Sequence, residues 1–359
     1  VSEPKERNMQ ASPFHIGDHV VAPGTRRTVD LPVSVLSDHT PVTMSVHVLH
    51  GRKPGPVLFV SAAVHGDEVI GVEIARRLLK APQLEAPELE KLKGTVMVVP
   101  IVNAFGFLNH SRYLPDRRDL NRSFPGSVKG SLAGRLANLF MTEIVSRADY
   151  GIDLHSAAVH RANLPQIRVS PSRPETLVLA KAFGAPVILT SKVREGSMRE
   201  AAQSRGKDVL VFEAGEGLRF DEMSIRAGVS GILRVMRTLK MLGPKGITRP
   251  KVHSILTKSS YWVRSPAGGL LRPYKSIGDV VEPQMLLGIV SDPFGESERN
   301  VVAEFGGLIV GRSNLPVVNE GDGLFHIADV SEKYDAELTL DSLASQLEAD
   351  PLFDEDEII

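Results

Sequence analysis

The chain contains no cysteine. That absence removes disulfide frameworks, thiolate zinc sites and cysteine nucleophiles together, so any metal must be held by His, Asp or Glu. Aromatic residues are scarce, at 5% of the chain with a single Trp, which argues against a platform for stacking nucleic-acid bases. The formal net charge is -1, so no global field points to nucleic acid or a membrane surface. No apolar run approaches the ~18 residues of a membrane span, because the longest break on Gly, Pro or polar residues. The opening VSEPKERNMQ is polar and lacks the apolar core of a signal peptide. A cytoplasmic protein is expected, with neither nucleic acid nor membrane as a partner.

What is present is an ordinary globular composition, 42% apolar and 24% charged over 359 residues, enough for a large core and more than one domain. Residues 1–30 read as a loose lead-in. Between 31 and 245, apolar runs alternate with amphipathic ones. Val42, Met44, Val46 and Val48 alternate with polar residues as in a half-buried strand. GRKPG reads as a turn, and PVLFVSAAV as a central strand that is apolar on both faces. Glu68–Leu79 has helical spacing, GTVMVVPIVN is the next buried strand, and SLAGRLANLFMTEIVSRAD is a helix with Leu136, Leu139, Phe140 and Ile144 on one face. YGIDLH is a short strand, Ala180–Ala185 opens another short alternation, and DVLVFEAGEG is a strand ending in acids. Such alternation predicts an α/β sheet flanked by helices, whose sites lie beyond the strand ends. After Gly243-Pro244 the character changes. Residues 246–332 carry short β-rich runs broken by Gly and Pro, with no helical period, and read as a smaller all-β domain. Residues 333–359 form an acidic tail, expected to be disordered toward its end.

Ionisable residues gather at the predicted strand ends. His65 and Glu68 stand three apart in the turn after PVLFVSAAV, so both can face one point, and His155 closes YGIDLH. Two imidazoles and a carboxylate make the ligand set of hydrolytic zinc sites that keep a fourth position for water. A lone H-x-x-E is also common in solvated turns, and the spacing alone does not decide between the two. The stretch SRYLPDRRDLNRSFPG carries Arg112, Asp119, Asn121 and Arg122. Arg and Asn can hold a carboxylate by a fork plus an amide, although a basic solvated loop would read the same way. Glu213 ends the strand VLVFEAGEG, where a carboxylate can serve as general base or merely cap a loop.

In this order HGDE, DLNRSFPG, DLH and FEAGEG resemble the succinylglutamate desuccinylase/aspartoacylase family, the small-substrate branch of the zinc carboxypeptidase-like hydrolases. The resemblance spans about residues 40–330. It implies a mixed sheet flanked by helices, with a smaller C-terminal all-β domain of barrel-sandwich type. It also implies one zinc ion per chain on His65, Glu68 and His155, with Glu213 activating water. Arg112 matches, on looser spacing, an arginine that polarises the scissile carbonyl. Asn121 and Arg122 match the grip on the substrate carboxylate, and Asp119 the acid that orients the first zinc histidine. The reaction implied is hydrolysis of an N-acyl amino acid or a similar small anionic amide, and a homo-oligomer is left open.

SAAVHRANLPQIRV departs from the better-known members. It adds His160, Arg161, Asn163 and Arg168 as candidate substrate contacts, with loop structure the equal alternative. Two rival functions remain at this stage. One is a metallocarboxypeptidase that trims peptide C-termini. The other is a non-catalytic carrier, for which the hairpin GRSNLPVVNEGD lacks the lysine that would be modified.

Overall fold

The computed structural model describes residues 10–250 and 254–330, together with 339, 340, 342 and 345. The acidic-tail expectation thus falls almost wholly outside the described residues. In chain order the first half comprises β1 (Phe14–Ile16), β2 (His19–Val21), β3 (Thr25–Val35), β4 (Pro41–His50), β5 (Lys53–Ala62), α1 (Ile70–Leu79), β6 (Lys93–Val99), α2 (Ala104–Leu108), α3 (Leu132–Glu143) and β7 (Tyr150–His155). There follow β8 (Arg161–Val169), α4 (Pro174–Phe183), β9 (Val187–Thr190), α5 (Met198–Gln203), β10 (Val209–Glu216) and α6 (Glu222–Thr238). The remainder is β: β11 (Ile255–Thr257), β12 (Ser260–Arg264), β13 (Gly269–Pro273), β14 (Val280–Val281), β15 (Leu286–Ser291), β16 (Glu298–Val302), β17 (Gly307–Ser313), β18 (Val317–Val318) and β19 (Gly323–Ala328).

The central strand β5 shows why the sheet is covered on both faces. Leu58, Val60 and Ala62 belong to one core cluster with residues of α1, α4 and α6. Phe59, one residue out of step, belongs to the other, with residues of α2, α3 and α5. Successive side chains of a strand point to opposite faces, so an unbroken apolar run needs helices on each. In the middle of the sheet β10, β7, β5 and β6 run parallel, while β6–β4 and β4–β3 are antiparallel pairs. The sheet is therefore mixed.

Three segments differ from the sequence reading. The lead-in is not loose where it is described: β3 pairs with β4 over its whole length and ends the sheet. Its polar sequence TRRTVDLPVSV suits an edge, and Pro32 falls where the register shifts, a position that tolerates a missing N–H. Ala180–Ala185 lies at the end of a helix, α4, with Pro174 in its first turn and Gly184 left-handed at φ 82° at its end, signals that outweigh the local alternation. Helix α1 starts at Ile70 rather than Glu68.

The β-rich C-terminal region is not hydrogen-bonded apart from the rest. One four-stranded antiparallel sheet, β16-β15-β13-β18, is its own. Strand β17, however, pairs with β8 through Gly311↔Asn163, and β19 and β12 extend the central sheet beyond it. Leu164, Val187, Leu308, Val310 and Ala328 form a core at this junction. Strand β8 is thus forked on one edge, with residues 161–163 against β17 and 166–169 against β9.

Candidate metal centre and active site

Strands β5 and β7 are parallel neighbours with Ala62 opposite Leu154, so the chain leaves both at the same sheet edge. His155 is the last residue of β7. Beyond β5 the chain turns through Ala63, at φ 49°, and delivers His65 and Glu68 to the same place. The turn packs hard on α2: a Cβ on Gly66 would lie 1.9 Å from the carbonyl carbon of Gly106. Only glycine allows that approach.

His65, Glu68 and His155 are all buried, and their nearest donor atoms lie within 4.8 Å of one another. The Nδ1 of His65 is 2.7 Å from Glu68 Oε1, and the Nδ1 of His155 is 2.6 Å from Glu68 Oε2. The far nitrogens are held from behind. His65 Nε2 lies 3.1 Å from Asp119 Oδ1, and His155 Nε2 lies 2.6 Å from Asp153 Oδ2. Asp153 is fixed in turn by the Ser61 hydroxyl, which donates to Oδ1 at 2.7 Å. An imidazole that donates Nε2–H to a carboxylate presents a basic Nδ1 in a set direction. Two nitrogens and one carboxylate, oriented in this way and without sulfur, fit zinc.

The charges are mutually arranged. Burial opposes ionisation of Glu68, but His65 and His155 outweigh it and hold the carboxyl well below its usual range. Burial also opposes charging of His155, yet Asp153 and Glu68 raise its pKa well above that of an ordinary histidine. His65 is raised in the same way, against burial, by Glu68 and Asp119. Without metal, protons therefore occupy the nitrogens that a metal needs. Zinc uptake must release them, so affinity is expected to fall as pH falls through the raised imidazole range. Competitive titration at pH 6 and pH 8 checks this; equal affinity at both would contradict it.

Asp119 ties the next loop to the centre. Its Oδ1 also accepts from the Asn121 N–H at 2.8 Å, and its Oδ2 accepts from Arg112 Nε at 3.2 Å and Nη2 at 3.0 Å. Arg112 Nη1 donates to Glu68 Oε1 at 3.3 Å. Asn121 Oδ1 accepts from the Met198 N–H at 2.9 Å, which leaves its NH₂ end as the donor available to a ligand. Arg122 is exposed and donates to the Asn121 carbonyl. Glu213 lies directly beside His155 in the β10–β7 register. Its Oε2 accepts from Asn163 Nδ2 at 2.9 Å, and its Oε1 is 3.4 Å from Arg168 Nη1.

One cavity of about 270 Å³ is lined by His65, Glu68, His155, Arg112, Asn121, Arg122, Arg168 and Glu213. His160 and Arg161 are not among its lining. His160 occupies a turn at φ 65° with its N–H on Glu216, and Arg161 places its guanidinium 5.2 Å from the Trp262 ring. The turn before β8 directs both to the junction with the C-terminal strands. Sequence reasoning missed Asp153, and also Lys192 and Arg194, which line the cavity from the segment between β9 and α5, and Arg199, which lines it from α5 itself. Asp153 had a signal, since it stands two residues before a ligand on one strand and hence on the same face. The basic run TSKVREGSMR had only its charge.

A buried His–Glu–His set opening on a cavity with a further carboxylate defines a metal-dependent hydrolase. The chain belongs to the succinylglutamate desuccinylase/aspartoacylase family: residues 54–239, just over half of it, match the catalytic domain of that family. It is an amidohydrolase of the deacylase type. An N-alpha-acetyl-L-2,4-diaminobutyric acid deacetylase of Halomonas elongata is 28% identical over 293 residues, covering 78% of this chain and 84% of that one. The fold is shared with the ectoine utilization protein EutE (DoeB) of Ruegeria pomeroyi in its product-bound structure, at TM-score 0.76, 24% identity and 88% and 98% coverage of the two chains. It is shared too with a succinylglutamate desuccinylase/aspartoacylase of Rhodobacter sphaeroides, at TM-score 0.74, 22% identity and 86% and 96% coverage. Among the described residues no helix is long and apolar enough to cross a membrane.

Proposed function

We propose that the protein hydrolyses the amide bond of an N-acyl amino acid or a similar small anionic amide, using one zinc ion per chain held by His65, Glu68 and His155. The observation that carries this reading is the convergence of the three donors, the Glu213 carboxylate and a cationic wall on one cavity. Zinc held by these residues would supply Lewis-acid chemistry toward the scissile carbonyl and the attacking water. Glu213 accepts the proton of that water and passes it to the leaving nitrogen. Arg112 donates to the carbonyl oxygen as charge develops on it. Asn121 and Arg122 hold the substrate carboxylate, which sets the amide beside Glu213 and reduces the entropic part of the barrier.

The lining also explains why the substrate is read as anionic. Arg112, Arg122, Arg168, Lys192, Arg194 and Arg199 line the cavity, and the acids that line it with them are Glu68, Asp153 and Glu213. Burial, together with the neighbouring Arg168, pushes the Arg199 pKa down. Arg199 Nη1 and Arg168 Nε are buried without a hydrogen-bond partner. An anion between them would relieve both costs, whereas a substrate carrying a second amine would add to them. Ser260 of β12 also lines the cavity, so the C-terminal strands supply part of its wall. A space of about 270 Å³ suits a small amide and disfavours the carboxypeptidase alternative.

Arg122→Ala is expected to lower kcat/KM by about 10- to 100-fold, mostly through KM, the loss typical of one charge-assisted hydrogen-bonded pair. Converting the substrate α-carboxylate to an amide should cost the wild type a similar factor. Unchanged efficiency on the amidated substrate would show that the carboxylate grip is misassigned.

A further inference from the structure

We infer that Asn163 is a positioning residue for the reaction, and that Gly311 of the C-terminal β region is the place from which its amide is set against Glu213. The inference rests on the reading of Glu213 as the base. It arises from the fork in β8. Asn163 occupies the last rung that β8 shares with β17, opposite Gly311, and on its other edge it stands opposite Gly215 of β10. The β10–β8 register shifts between Glu213 and Gly215, and the β17–β19 register shifts between Ile309 and Gly311. Bulges re-aim side chains at the rims of sheets, and here two of them flank one amide.

The contact itself is specific. A carboxylate only accepts hydrogen bonds, so the Asn163 amide must turn its NH₂ group to Glu213, and Nδ2 lies 2.9 Å from Oε2. The opposite end of the amide then faces Gly311: a Cβ built there would lie 2.8 Å from Asn163 Oδ1. Any side chain at 311 would push the amide along the line that leads to Glu213. Asn163 is 9% exposed, so water does not readily replace it. The other carboxylate oxygen meets the Arg168 guanidinium at 3.4 Å. A neutral amide on Oε2 orients the carboxylate without placing a second cation beside it. Asn163 touches none of His65, Glu68 or His155 by hydrogen bond, so its action runs through Glu213 alone.

The test uses the zinc-loaded full chain and four variants: Asn163→Ala, Gly311→Ala, Glu213→Gln, and the double variant Asn163→Ala with Glu213→Gln. Zinc content and thermal midpoint are measured beside kcat and KM on an N-acyl amino acid that the wild type hydrolyses. The expected result is a fall in kcat of about tenfold or more for Asn163→Ala, with KM within about threefold and zinc content unchanged. Gly311→Ala should give a smaller fall of the same kind. In the Glu213→Gln background the further loss of Asn163 should cost nothing more, because residues that act as a unit are non-additive. If Gly311→Ala does not fold, the Asn163→Ala pair decides the matter. Unchanged kcat in Asn163→Ala, or a loss that multiplies in full with that of Glu213→Gln, would overturn the inference. A Glu213→Gln protein with wild-type rate would instead remove the base assignment on which it rests.

Discussion

Glu213→Gln is expected to reduce kcat by about 10²–10⁴-fold, the usual worth of general acid–base help, while the protein keeps its zinc and its KM. The glutamine is almost isosteric and remains within reach of both partners of the carboxylate, Asn163 and Arg168. It cannot take a proton from water. The strand register supports the scale of the loss: Glu213 stands beside His155 on adjacent parallel strands, so no other described carboxylate of the cavity is both close to the metal donors and uncommitted to them. Asp153 and Glu68 are each hydrogen-bonded to a histidine. Steady-state kinetics with metal analysis on the same preparation checks the prediction. A variant within a factor of a few of the wild-type rate would mean that the proton is taken by another group.

His155→Ala should lose zinc and activity together. The substitution removes one of three donors, and it also takes from two buried acids their shared imidazole partner. Asp153 and Glu68 are buried at 1% and 2% exposure and both hydrogen-bond to that imidazole. Breaking a buried pair by removing one partner costs about 3–5 kcal/mol, so the thermal midpoint should drop as well. His65→Ala should act in the same direction. Metal analysis after dialysis gives the readout, and stoichiometric zinc surviving in the double variant would contradict the ligand assignment.

The parts of this site that were legible in the sequence are those where a polar residue interrupts an apolar period. His65 and Glu68 follow a central buried strand, His155 ends another, and Glu213 lies near the end of a third, so strand ends alone bring them to one edge. Asp119 could be placed behind His65 only through the family resemblance, and the 3.1 Å contact agrees with that placement. Asp153 was hidden inside the motif that revealed His155, because an acid within a strand attracts no attention until its face is known. Arg199 and Lys192 could not be read at all: their approach to the cavity depends on how β9 and α5 are docked, which a single sequence does not encode locally. His160 and Arg161 were misdirected by proximity in sequence to His155, since the intervening turn carries them to Trp262 and Glu216.

The mixed α/β sheet with helices and a smaller C-terminal β region was legible in the alternation of patterns, but the strand pairing between the two was not. The change of composition at Gly243-Pro244 is real, yet hydrogen bonding crosses it, because β17, with β19 and β12 beyond it, pairs with β8, which lies far earlier in the chain. Pairing between distant segments leaves no local signature. For the same reason the first part of the polar edge strand β3 reads as a loose lead-in, although its alternation is present in Val29 and Leu31, both buried.

The zinc-dependent deacylase activity is tested most directly by one measurement: amine release from a panel of N-acyl amino acids and their α-amides by metal-stripped protein, before and after zinc is restored. The prediction is no turnover without metal, recovery on addition of about one zinc per chain, and a marked preference for substrates with a free carboxylate. Hydrolysis that survives complete removal of the metal, or a zinc-loaded protein that cleaves long peptides while ignoring every small N-acyl amino acid, would contradict it.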